Sequence, residues 1–181
     1  ELDLEAPWQR TTLHHAVSNA VGAEVTIDTD ADRLRELAAK HDVHLDDDWG
    51  HGEIVLELFE KLVERTVQTP TFVCDYPESV RPLARPHRDE PRLTEAWDLV
   101  IAGVELAVAY SELTDPVIQR ERLIAQSELA AQGDPEAMEL DEDFLSALEY
   151  AIPPTGGLGM GVDRLVMTLT GRSIRETILF P

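Results

Sequence analysis

Residues 155–161 read Thr155, Gly156, Gly157, Leu158, Gly159, Met160, Gly161, and the chain then passes into Val162, Leu165, Val166 and Leu169 at helical spacing. Glycine allows backbone to lie close to a flat or anionic ligand, and the start of the helix beyond it offers unpaired N–H groups with partial positive charge. Arg164 on the first helical turn adds a planar cation, suited to stacking on a purine or pairing with phosphate. Together these residues read as a nucleotide contact. By spacing alone a second reading stays open, a glycine-rich strand packed tightly under a helix. The run lacks the Lys-Ser/Thr of a P-loop and is spaced G-x-G-x-G, not G-x-G-x-x-G.

Three acids stand on segments that otherwise look like buried strand. Trp97 to Ala102 and Glu105 to Leu113 flank Gly103 and suggest an antiparallel hairpin. Asp98, Glu105 and Glu112 interrupt runs that include Val100, Ile101, Leu106 and Val108, and burying an acid there is costly unless it meets a cation. A divalent metal or a positively charged substrate would serve. Solvent-facing acids at a sheet edge are the other open reading. Strand alternation puts Val108, Tyr110 and Glu112 on one face and Ala107, Ala109 and Ser111 on the other. Asp98 and Glu105 can share a face, but Glu112 falls opposite Glu105 unless a bulge lies between Glu105 and Tyr110.

The rest of the chain frames these features. Residues 1–68 read as helical packing: Thr11-Thr12 can cap a helix that ends at Gly22, Asp30 or Asp32 starts a second, and Ile54, Val55, Leu58, Phe59, Leu62 and Val63 stripe a third. Thr71 to Cys74 is a short strand, and Ser79 to Pro91, with Pro82, Pro86 and Pro91, is largely loop. Asp115-Pro116 opens a helix to about Gln132 before Gly133, and Asp141 caps another. The expected fold is α+β, an antiparallel sheet flanked by helices, in a single partial domain: a packing segment 1–68 and a sheet segment 69–181.

Charge and composition narrow the functions. Across 181 residues, 36 acidic against 15 basic side chains give a net charge of −21, which opposes autonomous binding to nucleic acid or anionic lipid. Any anionic ligand must be met by local positive groups. The lone Cys74 excludes an internal disulfide, and no apolar run of spanning length occurs. His14, His15, His41, His44, His51 and His87 form no zinc pattern with Cys74, and Ser111 lacks the setting of a nucleophile. Arg81, Arg85, His87, Arg88 and Arg92 form the one basic cluster, read as a solvated proline-rich loop in preference to a phosphate contact.

Thr155 to Leu165 (TGGLGMGVDRL) with Ile174 to Pro181 (IRETILFP) closely resembles motif 3 of class II aminoacyl-tRNA synthetases, in its lysyl-tRNA synthetase form. Pro82 to Ala84, Trp97 to Val104, Glu105-Leu106, Ala109 to Asp115 and Ala137 to Phe144 resemble the same family in order and spacing. The resemblance covers the chain from about Thr71, and more loosely from Thr11. It implies ATP-dependent activation of L-lysine to lysyl-adenylate and transfer to tRNA(Lys). By matched position, Gly157, Gly159, Gly161 and Arg164 would hold ATP, with Arg164 against adenine as the catalytic residue. Glu105 would bind Mg2+, with Asp98 in the place of a second metal-binding acid that is usually Glu. Tyr110 and Glu112 would shape the lysine pocket, Glu112 pairing with the side-chain ammonium.

Two departures accompany the resemblance. Val108 stands where many members have Asn at the substrate carboxylate, and motifs 1 and 2 are not found. The expectation is therefore a fragment, inactive alone, from a cytoplasmic protein that is a homodimer when complete. Some relatives of this style are fused to a membrane domain that forms lysyl-phosphatidylglycerol, which would make the protein membrane-associated. Two alternatives stand beside this reading: a paralogue that attaches lysine to a protein, and a non-catalytic dimerisation or regulatory module.

Overall fold

The computed structural model describes residues 2–132 and 137–180. Gly133, the expected stop of the long helix, and Pro181, the end of the motif-like tail, lie outside the described residues. Five strands form one sheet in the order β1-β2-β3-β4-β5: β1 Gln9–Thr12, β2 Thr71–Cys74, β3 Ala96–Ile101, β4 Val104–Ser111 and β5 Gly156–Met160. Pairings β2–β3, β3–β4 and β4–β5 are antiparallel. The pairing β1–β2 is parallel, so the expected antiparallel sheet carries one parallel strand at its edge. The short polar QRTT carries no apolar alternation to mark it as a strand. Tertiary contacts hold it, with Gln9 N donating to the Pro70 carbonyl at 3.0 Å and the Trp8 ring 5.7 Å from that of Phe72.

Helices α1 (Leu13–Val21), α2 (Ala31–Lys40) and α3 (His51–Leu62) start where the sequence marks them. Thr12 accepts from His15 N at one helix start and Asp30 from Asp32 N at the next, while Gly22 takes the left-handed conformation that ends α1. Their apolar stripes, including Leu13, Val17, Leu34, Leu37, Ile54, Val55 and Leu58, pack in one cluster with Val73, Ala96 and Val100 of the sheet. This layer thus covers the β2–β3 part of one face. On the opposite face Leu99, Ile101, Leu106 and Ala107 pack with Phe72, Trp97 and Leu165. Leu165 belongs to α6 (Val162–Thr170), which is followed by the short α7 (Ile174–Thr177).

Helix α4 (Pro116–Gln132) and helix α5 (Glu142–Glu149) pack through Leu123, Leu145 and Leu148. Polar groups of α4 also hold the proline-rich loop. Gln119 Nε2 donates to the Pro82 carbonyl at 3.3 Å, Arg122 Nη1 to the Ala84 carbonyl at 2.6 Å, and Arg122 pairs with Glu78 at 3.0 Å. Residues 78–84 are therefore held against the end of β4, where Leu113 N donates to the Leu83 carbonyl at 2.9 Å.

Candidate active site

The bulge required by the sequence is present. In the β3–β4 ladder Leu99 opposes Ala107 and Val100 opposes Glu105, so Leu106 is an extra residue between them. One inserted residue reverses the alternation of everything before it relative to everything after. Glu105 consequently joins the face of Val108, Tyr110 and Glu112, while Leu106 and Ala107 both pack behind. Asp98 opposes Val108 and so points the same way. In the β4–β5 ladder Gly159 opposes Val108 and Gly157 opposes Tyr110, which brings both glycines to this face as well.

The bulge also anchors the glycine run. Irregular pairing frees carbonyls from the ladder, and here two residues of the run and its helix take them up. Gly161 N donates to the Leu106 carbonyl at 3.0 Å, and Arg164 Nη1 to the Glu105 carbonyl at 2.6 Å. Arg164 also lies 3.3 Å from Glu105 Oε1. A side chain at Gly161 would press on the Arg164 chain at 3.2–3.4 Å, so the absence of Cβ lets the arginine fold back to the strand. The run proves to be both a strand edge and the support of an exposed cation, with Gly159 and Arg164 open to solvent.

Each acid meets a different environment. Asp98 is buried and its Oδ2 accepts from Arg81 Nη2 at 2.6 Å. Glu105 is half-buried beside Arg164; burial raises its pKa, reinforced by Asp98 and opposed by Arg164 and Arg81. Glu112 has no cationic partner among the described residues, and burial alone pushes its pKa up. Its carboxylate lies across the bare backbone of Gly157, where a Cβ would overlap Oε1. Burial likewise raises the pKa of the Tyr110 hydroxyl, with Arg81 opposing. The arrangement can neutralise anions at Arg164 and offers an unmatched carboxylate at Glu112, seven residues on from Glu105 and just past the end of β4, a donor–acceptor polarity suited to a ligand carrying both phosphate and ammonium.

Arg81 is the residue that sequence reasoning misplaced. Read as part of a solvated basic loop, it is largely buried under the sheet face, and its guanidinium lies 4.3 Å from the Tyr76 ring centroid. The only available signal was its position next to Pro82, which starts a family-like segment. The rest of that cluster is on the surface as expected, with Arg88 paired to Glu95 at 2.6 Å and Arg92 to Glu90 and Asp28 at 2.7 Å. The histidines also held a pairing that sequence did not show: His14 Nε2 and His51 Nε2 are 3.0 Å apart. A cavity of about 500 Å³ beside His14 is lined by Thr12, Ser18, Val25 and Thr26 and collects none of the site residues. No group of three metal-ligating side chains occurs among the described residues.

Comparison with known proteins agrees with the motifs. The family model for class II tRNA synthetases (D, K and N) matches residues 1–181. The chain belongs to this family. It is 61% identical over 180 residues to the lysylphosphatidylglycerol biosynthesis bifunctional protein LysX of Nocardia farcinica, covering 99% of this chain and 16% of that protein. The LysX proteins of Mycobacterium marinum and Mycolicibacterium vanbaalenii are 59% and 60% identical over the same length, again 16% of each. The chain thus spans about one sixth of the length of these curated relatives. For a class II synthetase domain, ligase chemistry with ATP is the family's property, and the mixed sheet with flanking helices is its α+β fold. No helix among the described residues is long and apolar enough to cross a membrane.

Proposed function

We propose that this chain is the glycine-run half of a lysine-activating site, a partial catalytic domain in which 1–68 packs and 69–181 carries the chemistry. The longer protein joins lysine to ATP as lysyl-adenylate and transfers it to tRNA(Lys). The observation that carries the reading is the contrast among the three acids. Asp98 and Glu105 each face an arginine, and Glu112 faces none among the described residues. A half-buried carboxylate without a counter-ion favours a ligand that brings its own cation, and the lysine ammonium is such a group.

In this reading Tyr110 walls the lysine pocket beside Glu112, while Gly157, Gly159 and Gly161 keep the β5 backbone low under ATP. Arg164 stacks on the adenine or meets the phosphates, and its bond to the Glu105 carbonyl fixes its direction. Glu105 and Asp98 are the acids at the triphosphate end, where family chemistry supplies Mg2+ to offset phosphate charge. As two open carboxylates for a shared ion they do not fit, because Arg81 already occupies Asp98. No step assigned to this chain's residues therefore runs through the ion. Val108 offers no donor to a substrate carboxylate, so that contact falls to groups outside this face. The names of the LysX relatives support a lysine-handling protein whose product serves lysylphosphatidylglycerol formation. A homodimeric assembly, at the membrane or in the cytoplasm, accompanies this proposal.

The test is lysine-dependent ATP–pyrophosphate exchange by the protein that carries this chain. Glu112→Gln removes the charge and keeps the shape, so the KM for lysine should rise by roughly 10- to 150-fold, the equivalent of about 1.5–3 kcal/mol for a charge-assisted hydrogen bond. The KM for ATP should stay put. Unchanged lysine kinetics would remove the substrate assignment.

A further inference from the structure

Asp98 is the acid most completely withdrawn from water at this site, with its side chain 6% exposed, and its partner Arg81 is 18% exposed. Four features of the fold lock the guanidinium in place. Its Nη2 donates to Asp98 Oδ2 at 2.6 Å, its Nη1 to the Val80 carbonyl at 3.1 Å, and its plane lies over the Tyr76 ring. Gln119 and Arg122 of α4 clasp the backbone on the following side. Glu105 and Tyr110 both feel its charge. The second carboxylate oxygen, Asp98 Oδ1, and the Tyr76 hydroxyl are buried without a hydrogen-bond partner among the described residues, so the ion pair of Asp98 is with Arg81.

An acid on this face of β3 is where a shared divalent ion would need an open ligand. Instead, a fixed organic cation already stands there, placed by a loop that α4 pins down. We propose that Arg81 is a resident counter-cation that takes the place of a divalent ion at Asp98, so that a metal on this face is held without Asp98. The inference rests on the nucleotide reading of the pocket. Displacing Arg81 by an ion would strand a largely buried guanidinium, and breaking such a pair by removing one partner is strongly unfavourable. Unlike a metal ion, Arg81 cannot be lost to a chelator or to low magnesium. It acts as a positioning residue, holding Asp98 and lending positive charge to the triphosphate end.

Mn2+ binding measures this directly, by paramagnetic resonance titration of the protein with and without ATP. Wild-type protein should bind Mn2+ with ATP, and Asp98→Asn should leave its stoichiometry and affinity unchanged within twofold. Arg81→Ser should free Asp98 and produce one additional Mn2+ equivalent or at least tenfold tighter binding. Arg81→Lys should behave as wild type, and Arg81→Ser with Asp98→Asn should lose the gain. A folded Arg81→Ser protein with wild-type Mn2+ binding overturns the proposal. So does a loss of one Mn2+ equivalent in Asp98→Asn alone, which decides the matter even where Arg81→Ser does not fold. If wild-type protein binds no Mn2+ with ATP, the nucleotide reading fails and this assignment falls with it; ATP-dependent Mn2+ binding that ignores Arg81 removes only the latter.

Discussion

Replacing Gly157 by alanine adds one methyl group at the point where the two proposed substrates meet. An ideal Cβ at this position overlaps Glu112 Oε1, lies 3.0 Å from its Cδ and 3.7 Å from its Cγ. The obstruction is the far end of a flexible side chain, so the carboxylate swings aside and the strand survives. Gly157 has no left-handed backbone to lose, and alanine in place of strand glycine recovers up to about 1 kcal/mol of chain entropy. Stability should therefore change by less than about 1 kcal/mol. Lysine recognition should suffer more, because a displaced carboxylate forfeits a charge-assisted bond of about 1.5–3 kcal/mol, or roughly 10- to 150-fold in kcat/KM. Gly159→Ala supplies the contrast: its Cβ meets only Val108 Cγ2, at an ordinary 3.6 Å. That methyl leaves Glu112 alone but raises the floor under the proposed ATP, so the KM for ATP should rise at unchanged lysine KM. Exchange kinetics at varied lysine and varied ATP, with urea midpoints for both variants, separate these outcomes. A stable Gly157→Ala protein with wild-type lysine kinetics would refute the placement of lysine against Glu112.

Two further outcomes follow from named contacts. Arg164→Ala should cut ATP–pyrophosphate exchange by at least tenfold with little loss of stability, because its pair with Glu105 is solvent-exposed and such pairs contribute about 0–1 kcal/mol; exchange at the wild-type rate would count against the adenine role. Burial, helped by the neighbouring His51, lowers the pKa of His14 to about 4, so between pH 6.5 and 4 the unfolded chain takes up a proton that the folded one refuses. Stability should fall across that window by up to about 3 kcal/mol relative to His14→Gln, and parallel urea midpoints for the two proteins would contradict it.

Legibility in the sequence followed the range of the interactions. The helix start at Asp141 was readable, and those at Thr12 and Asp30 were readable to within two residues (Thr11-Thr12, Asp30 or Asp32), because a cap is settled by side chains within three residues of the backbone they bind. The hairpin around Gly103 and the alternation of Val108, Tyr110 and Glu112 are also local. The need for a bulge came from asking three acids to share a face, and the ladder places the extra residue at Leu106, between the limits set by alternation. Strand β1 was hidden because four polar residues carry no pattern of their own and are ordered by a partner about sixty residues away. Arg81 was hidden for the same reason: its charge suggested solvent, and only the distant Asp98, Tyr76 and α4 make a buried position tolerable.

That long-range dependence bears on how a chain of net charge −21 can serve a polyanionic ligand. Overall charge would repel ATP, yet a binding site responds to charges within roughly a Debye length of about 8 Å. At this face the two acids nearest the bulge are each matched by an arginine, so the local balance at that end is near neutral while the surplus acids lie elsewhere. The third acid, Glu112, is separated from that end along β4 and has Gly157 in place of a cation beside it. The bulge at Leu106 thus does two jobs with one residue: it turns Glu105 toward the pocket, and it frees the carbonyls that hold Gly161 and Arg164 in place. In the proposed reading, a polarity from arginine-matched to unmatched acid on one side of the sheet orients a ligand carrying phosphate at one end and ammonium at the other. Net charge sets which ligands approach the molecule unaided; the spacing of matched and unmatched carboxylates sets which one is held, and in which direction.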